Sequence, residues 1–250
     1  MSIQFSDTSN YKGIIQLIEK ECGFNRTDIS GDSDKLKEFT ADVNLAMDDF
    51  TALAIQASGT WQYDDSNHTK YPIITTNLVD GQRDYAFTTD EQGNRILDVH
   101  RVFVLTSTSG TKYVEVYPID AQSHPAGHTE GFWDGQNTEG VPFYYDKTAN
   151  GIFLDPIPSY NATNGLKIYI NREASYFASS DTTKVPGIPG IFHRYLVLKP
   201  AFDYARRNNL PNTQRLENEI FKLERSIKEY YGKRERDIRH VMTPRRINYM

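Results

Sequence analysis

The chain has 250 residues, 38% hydrophobic and 12% aromatic with 16 tyrosines, a formal net charge of −5 and one cysteine, Cys22. A single cysteine excludes an internal disulfide and a cysteine zinc site, and no apolar run approaches the roughly 20 residues of a membrane span. The opening MSIQFSDTSNYKG has no basic stretch followed by an apolar one, so a soluble intracellular product without a signal peptide is expected.

Ile14, Ile15, Leu17 and Ile18 predict a short amphipathic helix that stops near Gly23. After a loop of Asp, Ser and Gly, the apolar residues Leu36, Phe39, Val43, Met47, Phe50, Ala54 and Ala57 recur at steps of three and four, predicting a second helix. Asp32, Ser33 or Asp34 can cap its first turn, and Gly59 is placed to end it.

From Trp61 the period changes to two. Strands are expected at Tyr71 to Thr75, Arg83 to Phe87, Ile96 to Leu105, Lys112 to Ile119, Phe143 to Lys147, Gly151 to Asp155 and Leu166 to Arg172. The last predicts one face of Leu166, Ile168 and Ile170 and an opposite face of Lys167, Tyr169 and Asn171. Turns are expected at Asp80-Gly81, Gln92-Gly93-Asn94, Ser109-Gly110 and Asn164-Gly165, and Asn150-Gly151 predicts a hairpin built on positive φ. Between Gln122 and Gly140 lies a long polar stretch read as an exposed loop.

Helix returns after Val185-Pro-Gly-Ile-Pro-Gly, with Ile191, Tyr195, Leu198, Phe202 and Ala205 on one face and Pro200 as a kink or restart. The longest helix is expected after Pro211, with Leu216, Ile220, Leu223, Ile227 and Tyr230 or Tyr231 as a coiled-coil-like seam. Continued toward Met242 it would be about 45 Å long at ~1.5 Å per residue, with Gly232 as a point of interruption. Between Lys222 and Met250 stand nine basic and four acidic side chains, net +5, leaving the preceding residues at −10. This basic end suits an acidic surface or nucleic acid, and its interspersed Glu and Asp favour a protein; a solvated helix end is the plainer reading.

The expected class is therefore α+β: a helical bundle from the N- and C-terminal helices (1–60 and 186–232), a large inserted antiparallel β-lobe (61–185), and a basic C-terminal extension (233–250) after a long C-terminal helix. No phosphate-cradling Gly-rich loop or nucleophile elbow is present. His124, His128 and Glu130 lack helical spacing because Pro125 and Gly127 intervene, so no metal is expected there. Asp64, Asp65 and His68 lie in a polar connector, and His193 at a helix start reads as a capping or interface residue. No enzyme activity and no cofactor are expected.

The order of motifs carries a resemblance. Gly140-Val-Pro-Phe-Tyr-Tyr, Gly151-Ile-Phe-Leu-Asp-Pro-Ile-Pro, the strand ending Tyr169-Ile-Asn-Arg, and Asp181-Thr-Thr-Lys-Val-Pro-Gly-Ile-Pro leading to Phe192-His-Arg-Tyr resemble the head-to-tail adaptor proteins of tailed bacteriophages. The likeness covers residues 138 to 231 well, and the N-terminal helices match in kind. It implies a structural virion protein, made in the host cytoplasm and placed in the neck. There it would form a ring of about twelve copies below the portal, continuing the DNA channel and mounting the tail. The implied partners are other copies, the portal, a downstream tail or neck protein, and double-stranded DNA passing without sequence-specific binding. The residues expected to grip the portal or a neighbouring subunit are Arg234, Arg236, Arg239, Arg245, Arg246 and Tyr249. The competing readings are a tail-tube or stopper component and, from another class, a carbohydrate-binding or hydrolase module on the Tyr-rich lobe.

Overall fold

A computed structural model describes residues 3–57, 73–90, 93, 95–119, 138–148 and 150–233. The chain divides into two compact units, Met1–Tyr63 with Phe177–Met250, and Asp64–Tyr176.

The first unit is helical: α1 (Ile14–Cys22), α2 (Ser33–Ala57), α3 (Tyr195–Arg207) and α4 (Thr213–Gly232). Gly23 closes α1 in the left-handed region at φ 77°, returning its N–H to Glu19 and Lys20 carbonyls. Of the three candidate caps for α2, Asp32 is the one used: its Oδ1 accepts from the N–H groups of Asp34 at 3.0 Å and Lys35 at 3.3 Å. α3 follows a single tight turn at Gly190–Phe192 and runs through Pro200.

Helix α3 packs on α1, α2 and α4, and α2 also packs on α4. Phe50 of α2 sits at the centre, its ring 6.0 Å from Phe192, 6.1 Å from Tyr195 and 6.1 Å from Tyr231. Leu216, Ile220, Ile227 and Tyr231 are buried along α4, as the seam predicts, whereas Tyr230 is exposed. One expectation fails here, and a second is reached only in part by the described residues. Ile191 is 67% exposed, because the tight turn at Gly190–Phe192 breaks the helical phase before α3 begins. Among the described helices α2, with 25 residues, is longer than α4, with 20, because α4 ends at Gly232; its predicted continuation toward Met242 lies outside the described residues.

Buried polar side chains tie this unit together. The Glu19 carboxylate, 3% exposed, accepts from the N–H groups of Thr27, Ile29 and Ser30 and from the Ser30 hydroxyl, holding the loop after α1. The Asn44 amide donates to the Phe177 carbonyl at 2.9 Å and accepts its N–H at 2.8 Å. The N-terminal segment lies along residues 182–184, with Phe5 N–H on Lys184 O and Ser6 N–H on Thr182 O, and Phe5 stacks on Phe177 at 4.6 Å.

The second unit is a sheet. Its strands are β1 (Ile73–Leu78), β2 (Asp84–Ala86), β3 (Ile96–Leu105), β4 (Tyr113–Pro118), β6 (Tyr144–Lys147), β7 (Gly151–Asp155) and β9 (Ala162–Arg172), in the order β1-β9-β3-β4-β6-β7-β2; β5 (Glu139–Gly140) and β8 (Ile157–Pro158) pair separately. The sheet is mixed rather than antiparallel as expected, since β4 and β6 run parallel; the separate β5–β8 pair is parallel too. Strand β6 follows β4 after a long connection instead of a hairpin, which allows the two to run in the same direction.

The order forces a curl. Strands β1 and β2 occupy opposite edges, yet only the five residues Val79 to Arg83 join them. Six strand spacings of ~4.8 Å would separate flat edges by about 29 Å, whereas the link spans at most about 21 Å. The concave face encloses Val102, Val104, Val116, Ile152, Leu154, Leu166 and Ile168.

Two Asn-Gly pairs behave differently from expectation. Asn164-Gly165 is a bulge inside β9 rather than a turn: Asn164 has φ 53°, and the β1–β9 register shifts beside it between Thr76 and Leu78. Asn150-Gly151 does lie at the β6–β7 reversal, but Gly151 belongs to β7 opposite Ala86, where an added Cβ would stand 2.6 Å from the Tyr85 carbonyl oxygen. Close approach of β2, not a turn, demands glycine there. Asn171, on the face opposite Leu166, Ile168 and Ile170, is 3% exposed, and β3 carries bulges beside it between Ile96 and Asp98 and between Val99 and Arg101.

Candidate functional site

All six residues expected to carry attachment, Arg234, Arg236, Arg239, Arg245, Arg246 and Tyr249, lie outside the described residues, as do Gly59, the Asp64, Asp65 and His68 connector and the His124, His128 and Glu130 loop. The described chain stops at Lys233, directly after α4, so α4 is the element from which the basic extension departs.

The residues with chemical potential inside the fold are committed to structure. His193 is 2% exposed; its Nδ1 accepts the Ile3 N–H at 3.1 Å and its Nε2 lies 2.9 Å from the Ile188 carbonyl oxygen. The first contact requires Nδ1 to be unprotonated, so the second is a donation from Nε2–H. Burial also holds the imidazole below its usual value. This histidine therefore clasps the N-terminal segment to the turn before α3. Burial pushes the Cys22 thiol up to about 12, which keeps it in the unreactive neutral form. Among the described residues, no three His, Cys, Asp or Glu side chains are grouped as metal ligands, and no helix is long and apolar enough to cross a membrane.

A closed ring of charge joins three elements. Arg215 donates to Glu21 at 2.6 Å and to Glu219 at 2.8 Å, while Arg194 donates to Glu219 at 2.7 Å and lies 3.8 Å from Glu21. Partial burial opposes ionisation of Glu219, but Arg194 and Arg215 outweigh it and hold this carboxyl below its usual value. These contacts fasten α1 and the residue preceding α3 to α4.

Several large apolar side chains are exposed. On the sheet, Tyr117 and Tyr144 are register partners across β4 and β6, and Phe143 accepts the Tyr117 N–H at its carbonyl. All three are exposed. Tyr117 stands on β4 and Tyr144 on β6, with Phe143 immediately before β6. On the helices, Leu45 and Phe221 are 63% and 69% exposed. None of these five residues was singled out as a surface residue from sequence. The signal existed for Leu45, which falls on the side of α2 opposite Phe39, Val43, Met47 and Phe50 at ~100° per residue.

The family model described as SU10 adaptor protein matches residues 9–247. The chain belongs to this family of phage head-to-tail adaptors. No curated protein matches it. The match extends well beyond the 138 to 231 stretch of the motif resemblance and takes in the N-terminal helices. Membership makes the chain a structural virion protein. It implies portal and tail proteins as partners of this adaptor, and the neck as its place.

Proposed function

We propose that this adaptor assembles into a closed ring of about twelve copies below the portal, continuing the DNA channel and mounting the tail. Family membership over residues 9–247 is the observation that carries the reading. The helices of both chain ends form a bundle that builds the ring, the sheet is an inserted lobe, and the basic extension grips the portal or a neighbouring subunit through Arg234, Arg236, Arg239, Arg245, Arg246 and Tyr249. Support for this division comes from the two compact units, one drawn from both chain ends and one from the middle. The charge of −10 ahead of Lys222 supports passage of DNA, since carboxylates lining a lumen repel phosphate and let the duplex slide. An extension that orders on docking loses conformational entropy, and repetition around a ring compensates by avidity.

Removing residues 240–250 tests the attachment. The truncated chain is expected to lose portal binding in a pull-down with purified portal while keeping its helical circular dichroism. Unchanged affinity would refute the role of the extension. Particle imaging of the full chain with portal tests the ring itself, which requires a closed annulus with an axial hole.

A further inference from the structure

We propose that residues 3–18 form a latch that opens and closes as one unit on the helical body, with Phe5 as its bolt. When the N-terminal strap, residues 3–6, leaves its groove, the first half of α1 loses its cap and unwinds back to Glu19, while α2, α3 and α4 stay packed. The device belongs to a single copy and does not depend on the ring.

Helix α1 cannot cap itself. It has nine residues, and isolated helices shorter than ~12–15 residues are marginal in water. Its N-cap, Gly13, has no side chain to accept the orphan N–H groups of the first turn. The strap supplies the acceptors instead: Ile14 N–H donates to the Gln4 carbonyl at 3.0 Å and Ile15 N–H to the Phe5 carbonyl at 3.1 Å. The Gln16 side chain, 4% exposed, closes the same seam. Its Oε1 accepts the Asp7 N–H at 2.8 Å and its Nε2 donates to the Ser6 hydroxyl at 3.1 Å. Ile14 and Ile15 are fully buried, so water does not replace these acceptors while the helix stays in place.

The strap in turn is held to the body at few points. Phe5 N–H donates to the Lys184 carbonyl at 2.8 Å, Ser6 N–H to the Thr182 carbonyl at 3.0 Å, and Ile3 N–H to His193 Nδ1. The Phe5 ring is fully buried against Phe177, and no other side chain of residues 3–6 is buried. Phe5 is thus bonded to the body through its N–H and to α1 through its carbonyl. The strap cannot leave without uncapping α1.

The unit has clear limits. Thr8, Ser9 and Asn10, between strap and helix, are exposed. At the other end Glu19 anchors the second half of α1 through the N–H groups of Thr27, Ile29 and Ser30. Helices α2, α3 and α4 pack directly on one another. Opening therefore bares the Phe177 ring and the Thr182 and Lys184 carbonyls without dismantling the bundle, and the position of the N-terminus decides whether this groove is covered.

Amide hydrogen exchange of the full chain in low urea tests the latch. In the wild type the amides of Phe5, Ser6, Ile14 and Ile15 should agree in protection within about threefold, and lie about tenfold or more below Met47 and Phe50 of α2. Phe5→Ala should lower the protection of Ser6, Ile14 and Ile15 by about a hundredfold, as loss of a buried aromatic ring implies, while Ile29 and Ser30 keep theirs. Gly13→Ala opens the seam from the other side, because an added Cβ would stand 2.8 Å from the Ser6 carbonyl carbon. With Phe5 intact, it should lower all four amides by about tenfold. Phe5→Leu keeps most of the apolar bulk and should show the Phe5→Ala pattern at smaller amplitude, so the test survives if the alanine variant does not fold. Unequal protection of the strap and of Ile14 and Ile15 in the wild type overturns the latch. So does a loss in Gly13→Ala that spares Phe5 and Ser6, or a loss in Phe5→Leu spread evenly over Ile29, Ser30, Met47 and Phe50.

Discussion

Replacing Glu19 probes how a buried carboxylate holds the helical unit. Glu19→Ala leaves the N–H groups of Thr27, Ile29 and Ser30 and the Ser30 hydroxyl without their acceptor. Hydrogen bonds to a charged group contribute ~1.5–3 kcal/mol each, but only the Ile29 contact is wholly buried, and the others regain water on truncation. The expected cost is therefore about 3 kcal/mol rather than the sum. Glu19→Gln keeps Oε1 for Ile29 and Ser30 and turns an amide nitrogen toward the weaker Thr27 contact, for a cost of about 1 kcal/mol. With a urea slope of ~2 kcal/mol per molar, the alanine variant should unfold about 1.5 M earlier and the glutamine variant about 0.5 M earlier. Helical circular dichroism follows the transition, and amide hydrogen exchange at Ile29 and Ser30 localises it. An alanine variant with an unchanged midpoint and undiminished protection at Ile29 would refute the reasoning.

Acid should loosen the same unit through His193. Its folded value lies below 6.5 because of burial, so between the two values the unfolded chain binds a proton that the folded one refuses. Stability from this group is complete above about pH 6.5 and falls as pH drops below it; His193→Gln should remove that part of the slope in urea titrations across the range, and a slope identical in both chains would contradict the clasp. Gly151→Ala places a methyl group 2.6 Å from the Tyr85 carbonyl oxygen, a backbone atom that cannot swing away, so the sheet unit should lose about 1–3 kcal/mol. Exchange of the β2 and β7 amides should rise in that variant, and an unaltered exchange pattern would show that the strands give way. Cys22, with its thiol near 12, should resist alkylation at neutral pH in the folded chain and react once urea exposes it.

Much of the fold was legible because repeating patterns report burial directly. The apolar repeat of α2 and the alternation of β7 placed those elements within a few residues of where they lie. The Asn164-Gly165 bulge was misread because a glycine preceded by a positive-φ residue serves a turn or a bulge equally well. Only the partner strand β1 decides between them. The short strands β5 and β8, two residues each, leave no period to read. Parallel pairing of β4 with β6 was likewise invisible, since direction depends on the course of the intervening chain. The site was harder still. A polar residue such as Asn44 looks like an ordinary helix residue until Phe177, far along the chain, supplies its partner. An interaction surface, unlike a catalytic centre, imposes no residue type of its own.

The clamp between Asn44 and Phe177 joins residues 133 positions apart, and this has a consequence for how the chain is made. The sheet unit is continuous and can complete itself as it leaves the ribosome. The helical unit cannot: α1 and α2 emerge first, and their apolar sides must wait for α3 and α4 while the whole sheet unit is synthesised. At ~5–20 residues per second that interval is several seconds or longer. During it Phe39, Val43, Met47 and Phe50 lack the cover that α3 and α4 provide. Closure of the unit is thus a late, long-range event, and Asn44 marks the point at which the returning chain is caught.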